Sequence, residues 1–140
     1  MRIVERRLSD LSSITYRVVT IDDPTAWRAG IFVNAFSGVN RHGSAGADDA
    51  SFISAITYAC VHAWNPKAVV LDLIDLDYQW GDEMDAVLLP DVDPIPVSVA
   101  AGPKCAPAIE TLLNTRTSDL DWMFATRDEA IENARARSGS

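Results

Sequence analysis

The sequence predicts a single α/β domain with a mostly parallel sheet, an antiparallel strand pair at its start, and the order β-β-α-β-α-β-α-β-α. Three observations carry this. First, residues 67–85 (Lys-Ala-Val-Val-Leu-Asp-Leu-Ile-Asp-Leu-Asp-Tyr-Gln-Trp-Gly-Asp-Glu-Met-Asp) hold an apolar run from Ala68 to Leu73 that stops at an aspartate-rich turn. Such a run is how a strand covered on both faces reads. Second, strand-like and helix-like segments alternate from there onward, which implies parallel crossovers. Third, two strand-like segments precede the first helix, and these form the antiparallel pair. The 140 residues fit one domain, placed over 1–137 with a frayed tail at 138–140, large enough to bury about two-thirds of its unfolded surface.

Each element has its own signal. Ile14 to Ile21 is rich in β-branched and aromatic residues and reads as a strand, followed by a turn at Asp22-Asp23-Pro24. A second strand covers Gly30 to Phe36, and Ser37 to Ala47, with three glycines, reads as a loop. Asp48 or Asp49 then caps a helix reaching Trp64, in which Phe52, Ile53, Ile56, Cys60 and Ala63 make an apolar stripe. Asn65-Pro66 ends it, because proline disfavours helical geometry in the residue before it. After the Ala68–Leu73 strand, a helix is expected from Gly81 to Leu89, stopped by Pro90 and Asp93-Pro94. Ile95 to Ala101 is the next strand, with Pro96 tolerable near its start. Lys104 to Asn114 is a helix with Ile109, Leu112 and Leu113 inward, and Asp121 to Ala125 a short strand. Thr126 and Glu129 have the spacing of a capping box for a last helix to Arg137.

Composition narrows the function classes. Hydrophobic content of 48% and charged content of 23% are ordinary for a soluble protein. No apolar run approaches the roughly 20 residues that cross a bilayer, and Met1 to Arg7 lacks the apolar core of a secretory signal. Cys60 and Cys105 lie far apart without a pairing motif and read as small core residues of a cytoplasmic protein. His42 and His62 do not sit at metal-ligand spacing, so no metal or cofactor is implied. A net charge of −8 opposes binding to a nucleic-acid backbone. Between Asp75 and Asp93 there are seven acids and no Lys or Arg, a one-signed patch suited to steering a basic partner.

The central segment resembles the core of a STAS domain, the fold of the anti-sigma-factor antagonists. Val70-Leu71-Asp72-Leu73 matches the family's strand, Trp80 to Met84 takes the place of its Asp-Ser-Ser-Gly-Leu turn, and Asp128-Glu129-Ala130-Ile131 is similar to the start of its last helix. The family's phosphorylatable serine falls at Gly81, with Asp82 next, so a kinase switch does not carry over. A second resemblance is to enoyl-CoA hydratase-like (crotonase) proteins, through Pro96-Val97-Ser98-Val99-Ala100-Ala101-Gly102-Pro103. That family implies an oxyanion hole of backbone N–H groups in Gly-rich turns. The turn here is poor in glycine and lined with carboxylates that would repel both an enolate and a CoA phosphate.

The expected working surface is an acidic, aromatic-bearing edge comprising Asp77, Tyr78, Trp80, Asp82, Glu83, Asp85 and Asp91. Aromatic anchors ringed by charge make binding hot spots. The acids lack the spacing of a calcium loop, and no base or nucleophile joins them. The loop Asn40-Arg41-His42-Gly43-Ser44-Ala45-Gly46 has donors for an anion, but it lacks the Walker ending, and Asp48-Asp49 oppose a phosphate. The resulting expectation is a non-catalytic cytoplasmic interaction domain that recognises a protein with a basic surface, as a regulator or a toxin-immunity protein. The competing expectation is a crotonase-like enzyme or acyl-CoA-binding protein.

Overall fold

The chain follows the alternation read from its sequence. The computed structural model describes residues 1–21 and 30–139, so the turn expected at Asp22-Asp23-Pro24 lies outside the described residues, as does Ser140. The elements are β1 (Thr15–Ile21), β2 (Ile31–Val39), α1 (Gly46–Trp64), β3 (Ala68–Leu73), β4 (Leu76–Asp77), α2 (Met84–Leu88), β5 (Val97–Ala101), α3 (Ala106–Leu113), β6 (Met123–Phe124) and α4 (Arg127–Arg137). They build a six-stranded sheet in the order β1-β2-β3-β5-β6, with β4 attached to the end of β2. β1 and β2 are antiparallel, and the remaining pairs are parallel.

β3 is buried along its whole length because both of its faces are covered. Val69, Leu71 and Leu73 join Phe32, Phe36, Ile53, Val99 and Ile109 in the main core under α1, α2 and α3. The alternate residues Ala68 and Val70 meet Ala100, Ala130 and Ala134, where small side chains let α4 lie on the other face. This period-two division is why the strand shows no polar alternation.

Several element bounds differ from the sequence reading, each for a local reason. β2 continues through Ser37-Gly38-Val39, because Gly38 and Val39 pair with Leu76 and Asp77 of β4. α1 starts at Gly46 behind Ala45, without a side-chain cap, since Asp49 is engaged elsewhere. α2 starts three residues later than expected: Glu83 takes a left-handed φ of 73°, which no helix continues. Ala63 and Leu112 point to solvent rather than inward. By contrast, Thr126 caps α4 as its spacing predicts, its Oγ1 accepting from the Glu129 N–H at 3.2 Å. Among the described residues no helix is long and apolar enough to cross a membrane.

Candidate functional site: the rim after β2 and β3

Two segments meet at the carboxyl ends of the parallel strands, residues 40–46 after β2 and 76–83 after β3. Backbone hydrogen bonds join them: the Asn40 N–H donates to Asp77 O at 2.9 Å, and the Asp82 N–H to Gly43 O at 3.0 Å. The join is close because two glycines face each other. A Cβ on Gly46 would overlap Arg41 O, and one on Gly81 would lie 2.7 Å from Arg41 O and 2.8 Å from Asn40 Nδ2. Neither position has room for a side chain.

The first segment is fixed from below by Asp49, which is fully buried on the first turns of α1. Its carboxylate accepts four hydrogen bonds, from Ser12 Oγ (2.6 Å), Arg41 N (2.7 Å), Arg41 Nε (3.0 Å) and Arg41 Nη2 (3.2 Å). Arg41 Nη2 also donates to Leu11 O at 2.7 Å, which ties the chain ahead of β1 to the same point. Burial pushes the Asp49 carboxyl up, but the hydrogen bonds from Arg41 and Ser12 outweigh it and hold the group below the usual carboxylate range. Arg41 is thereby engaged within the chain rather than offered to an external anion.

On this support sits Trp80. Its ring lies 5.6 Å from His42, centroid to centroid, tilted by 31°, and over Gly43, yet it remains 59% exposed. Tyr78 behaves differently. It is 2% exposed, and its hydroxyl donates to Gly81 O at 3.4 Å. Burial raises its phenol, and Asp85 and Asp82 add to that against the opposing Gly81 hydrogen bond.

The seven residues expected at the edge therefore separate. Trp80, Asp82, Glu83 and Asp85 are exposed on the rim. Asp77 is half-buried on β4, its Oδ1 accepting from Gln79 Nε2 at 2.8 Å. Tyr78 belongs to the core. Asp91 lies beyond α2, its N–H donating to the Tyr58 hydroxyl of α1 at 2.9 Å. The residues missed were His42, which supports Trp80, and Asp49 with Ser12 beneath it. One signal was present: Leu76-Asp77-Tyr78-Gln79 alternates apolar and polar, and period two sends Tyr78 inward with Leu76.

Cys105, nearby and buried, donates its thiol to Leu73 O at 3.4 Å. Burial, with smaller contributions from Asp72 and Asp77 and an opposing hydrogen bond to Gly102 O, pushes that thiol up to about 11, which leaves it a poor nucleophile at neutral pH. His42 lies against the Trp80 indole. Among the described residues no group of three or more His, Cys, Asp or Glu could hold a metal ion. No family model, curated protein or solved structure matches the chain.

Proposed function

We propose that the chain is a non-catalytic, STAS-like interaction domain of the cytoplasm that binds a protein partner with a basic surface through Trp80, Asp82, Glu83 and Asp85. One observation carries the reading: an indole 59% exposed, braced by His42 and Gly43, on a rim joined by backbone hydrogen bonds. A large ring held in one place loses little entropy on binding, and a ring of acids around it raises the encounter rate with a basic surface. The division of labour follows, with Trp80 supplying buried contact and the carboxylates supplying steering.

The STAS resemblance fits the element order, and Gly81 gives it a specific consequence. The position of that family's phosphorylatable serine has no room for a Cβ, so this rim works as a constitutive surface rather than a phosphate switch. Regulation of a signalling protein and neutralisation of a toxin's basic site are both occupations for such a surface. The test is a differential pull-down with the wild type and with Trp80→Ala plus Asp82→Lys, folding checked by circular dichroism. The partner should be lost from the double variant and weakened by salt in the wild type. Equal recovery by both proteins would overturn the assignment.

A further inference from the structure

The end of the sheet opposite Trp80 carries a cleft. A cavity of about 310 Å³ opens where the chain enters β5, lined from the end of α2 on one side and the end of α4 on the other. That volume lies at the lower end of small-molecule sites, roughly 300–1,000 Å³. Its floor is firm: Leu88 is a core residue, and Ile95 and Trp122 pack against the same core. Pro94 and Pro96 line the wall, where their fixed φ leaves the backbone few alternative shapes. Leu89 lies on the lip, 60% exposed.

Arg137 supplies the polar group. Its Nη1 donates to Val97 O at 2.8 Å, and at 3.4 Å to both Ser98 Oγ and Asn133 Oδ1. All three acceptors are neutral, and among the described residues no carboxylate forms an ion pair with Arg137. Acids outnumber bases in this chain, with 20 Asp and Glu against 12 Lys and Arg. A positioned guanidinium that none of the described acids pairs with is suited to a carboxylate from outside. An adjoining cavity of about 350 Å³ shares Pro94, Ile95, Pro96 and Arg137 and adds Lys67 to its lining. Arg137 therefore borders both an apolar compartment and one with a second cation.

We infer that this cleft binds a small organic monocarboxylate with an apolar body, the carboxylate on Arg137 and the body against Leu88, Ile95 and Trp122. Asp93 lines the apolar compartment, and the chain as a whole carries −8. Both oppose a second negative charge on the ligand, which limits the class to monoanions. The rim lies at the carboxyl ends of the strands and this cleft at their amino ends, so the site stands whether or not Trp80 binds a protein.

Titration of the ¹⁵N-labelled chain with phenylpropionate to about 10 mM tests the inference, with the neutral phenylpropanol as control. The carboxylate should give saturable shifts at the Trp122 indole N–H and the Ile95 and Val97 amides, with a Kd below about 1 mM for a ligand this small. The Trp80 indole should stay unmoved. The alcohol should bind at least about tenfold more weakly, and Arg137→Gln should bring the carboxylate down by the same factor. Leu89→Glu sets an anion on the lip at an exposed position and should also weaken binding about tenfold, with the circular dichroism spectrum unchanged. That second variant separates loss of the site from loss of the fold. No saturation by about 10 mM, equal binding of alcohol and carboxylate, or wild-type affinity in either folded variant would overturn the inference.

Discussion

Replacing Asp49 with alanine removes the support of the rim without touching its surface, and the structure sets the size of the effect. Four donors converge on this carboxylate. The Arg41 side chain is 48% exposed, so its guanidinium rehydrates when the acceptor goes, and its pairing contributes little after solvent screening. The Ser12 hydroxyl and the Arg41 N–H are less accessible, and each loses its acceptor at a cost of about 1–3 kcal/mol. Partial entry of water brings the expected loss to about 2–4 kcal/mol, read as a lower urea midpoint at constant slope. The pH dependence has a defined sign. The folded Asp49 carboxyl is held below its ordinary value, so its contribution is complete above the unfolded value near 4 and is lost as pH falls through the folded value. The gap between wild type and variant should therefore narrow below about pH 4. A loss under about 0.5 kcal/mol at pH 7, or a gap that widens on acidification, would refute the reasoning.

Gly81→Ala drives a Cβ against Arg41 O and Asn40 Nδ2, and overpacking of this kind costs about 1–3 kcal/mol; calorimetry should show the loss, and the Trp80 indole N–H resonance should shift as its stack on His42 opens. Thr126→Ala removes the cap of α4 and should cost about 1 kcal/mol by urea titration. With its thiol near 11, Cys105 should resist an aromatic disulfide reagent at pH 8 in the native chain, while both cysteines react promptly in guanidinium. Coenzyme A should leave the melting temperature unchanged, and a rise of several degrees would favour the crotonase-type alternative.

The parts of the fold legible in the sequence are those whose cause is local or periodic. A strand covered on both faces leaves a continuous apolar run, so Ala68 to Leu73 was visible with its bounds. The Thr126–Glu129 spacing marked the start of α4 because an N-cap side chain and the N–H it accepts from lie within one turn. What the sequence hid depends on residues far along the chain. Ser37 to Val39 read as loop because the strand's last two residues pair with β4, which has only two residues and lies 38 positions downstream on the register Val39↔Asp77, a pairing no local pattern announces. Asp49 read as a helix cap because its burial is produced by Ser12 and Arg41 folding back over it. The acidic stretch read as one surface because charge was counted along the chain, whereas α2 carries Asp91 away from the rim and β4 turns Tyr78 under it.

The central claim is that the partner sits on Trp80 and the acids beside it. The most direct measurement adds the partner recovered with wild-type chain to ¹⁵N-labelled protein and follows its amide and indole resonances. The account expects the largest shifts at the Trp80 indole N–H and at the amides of residues 82–85, with β1 and α4 unmoved. Shifts concentrated on β1, on α4 or at the opposite end of the sheet near Pro96 and Arg137, with Trp80 silent, would contradict it.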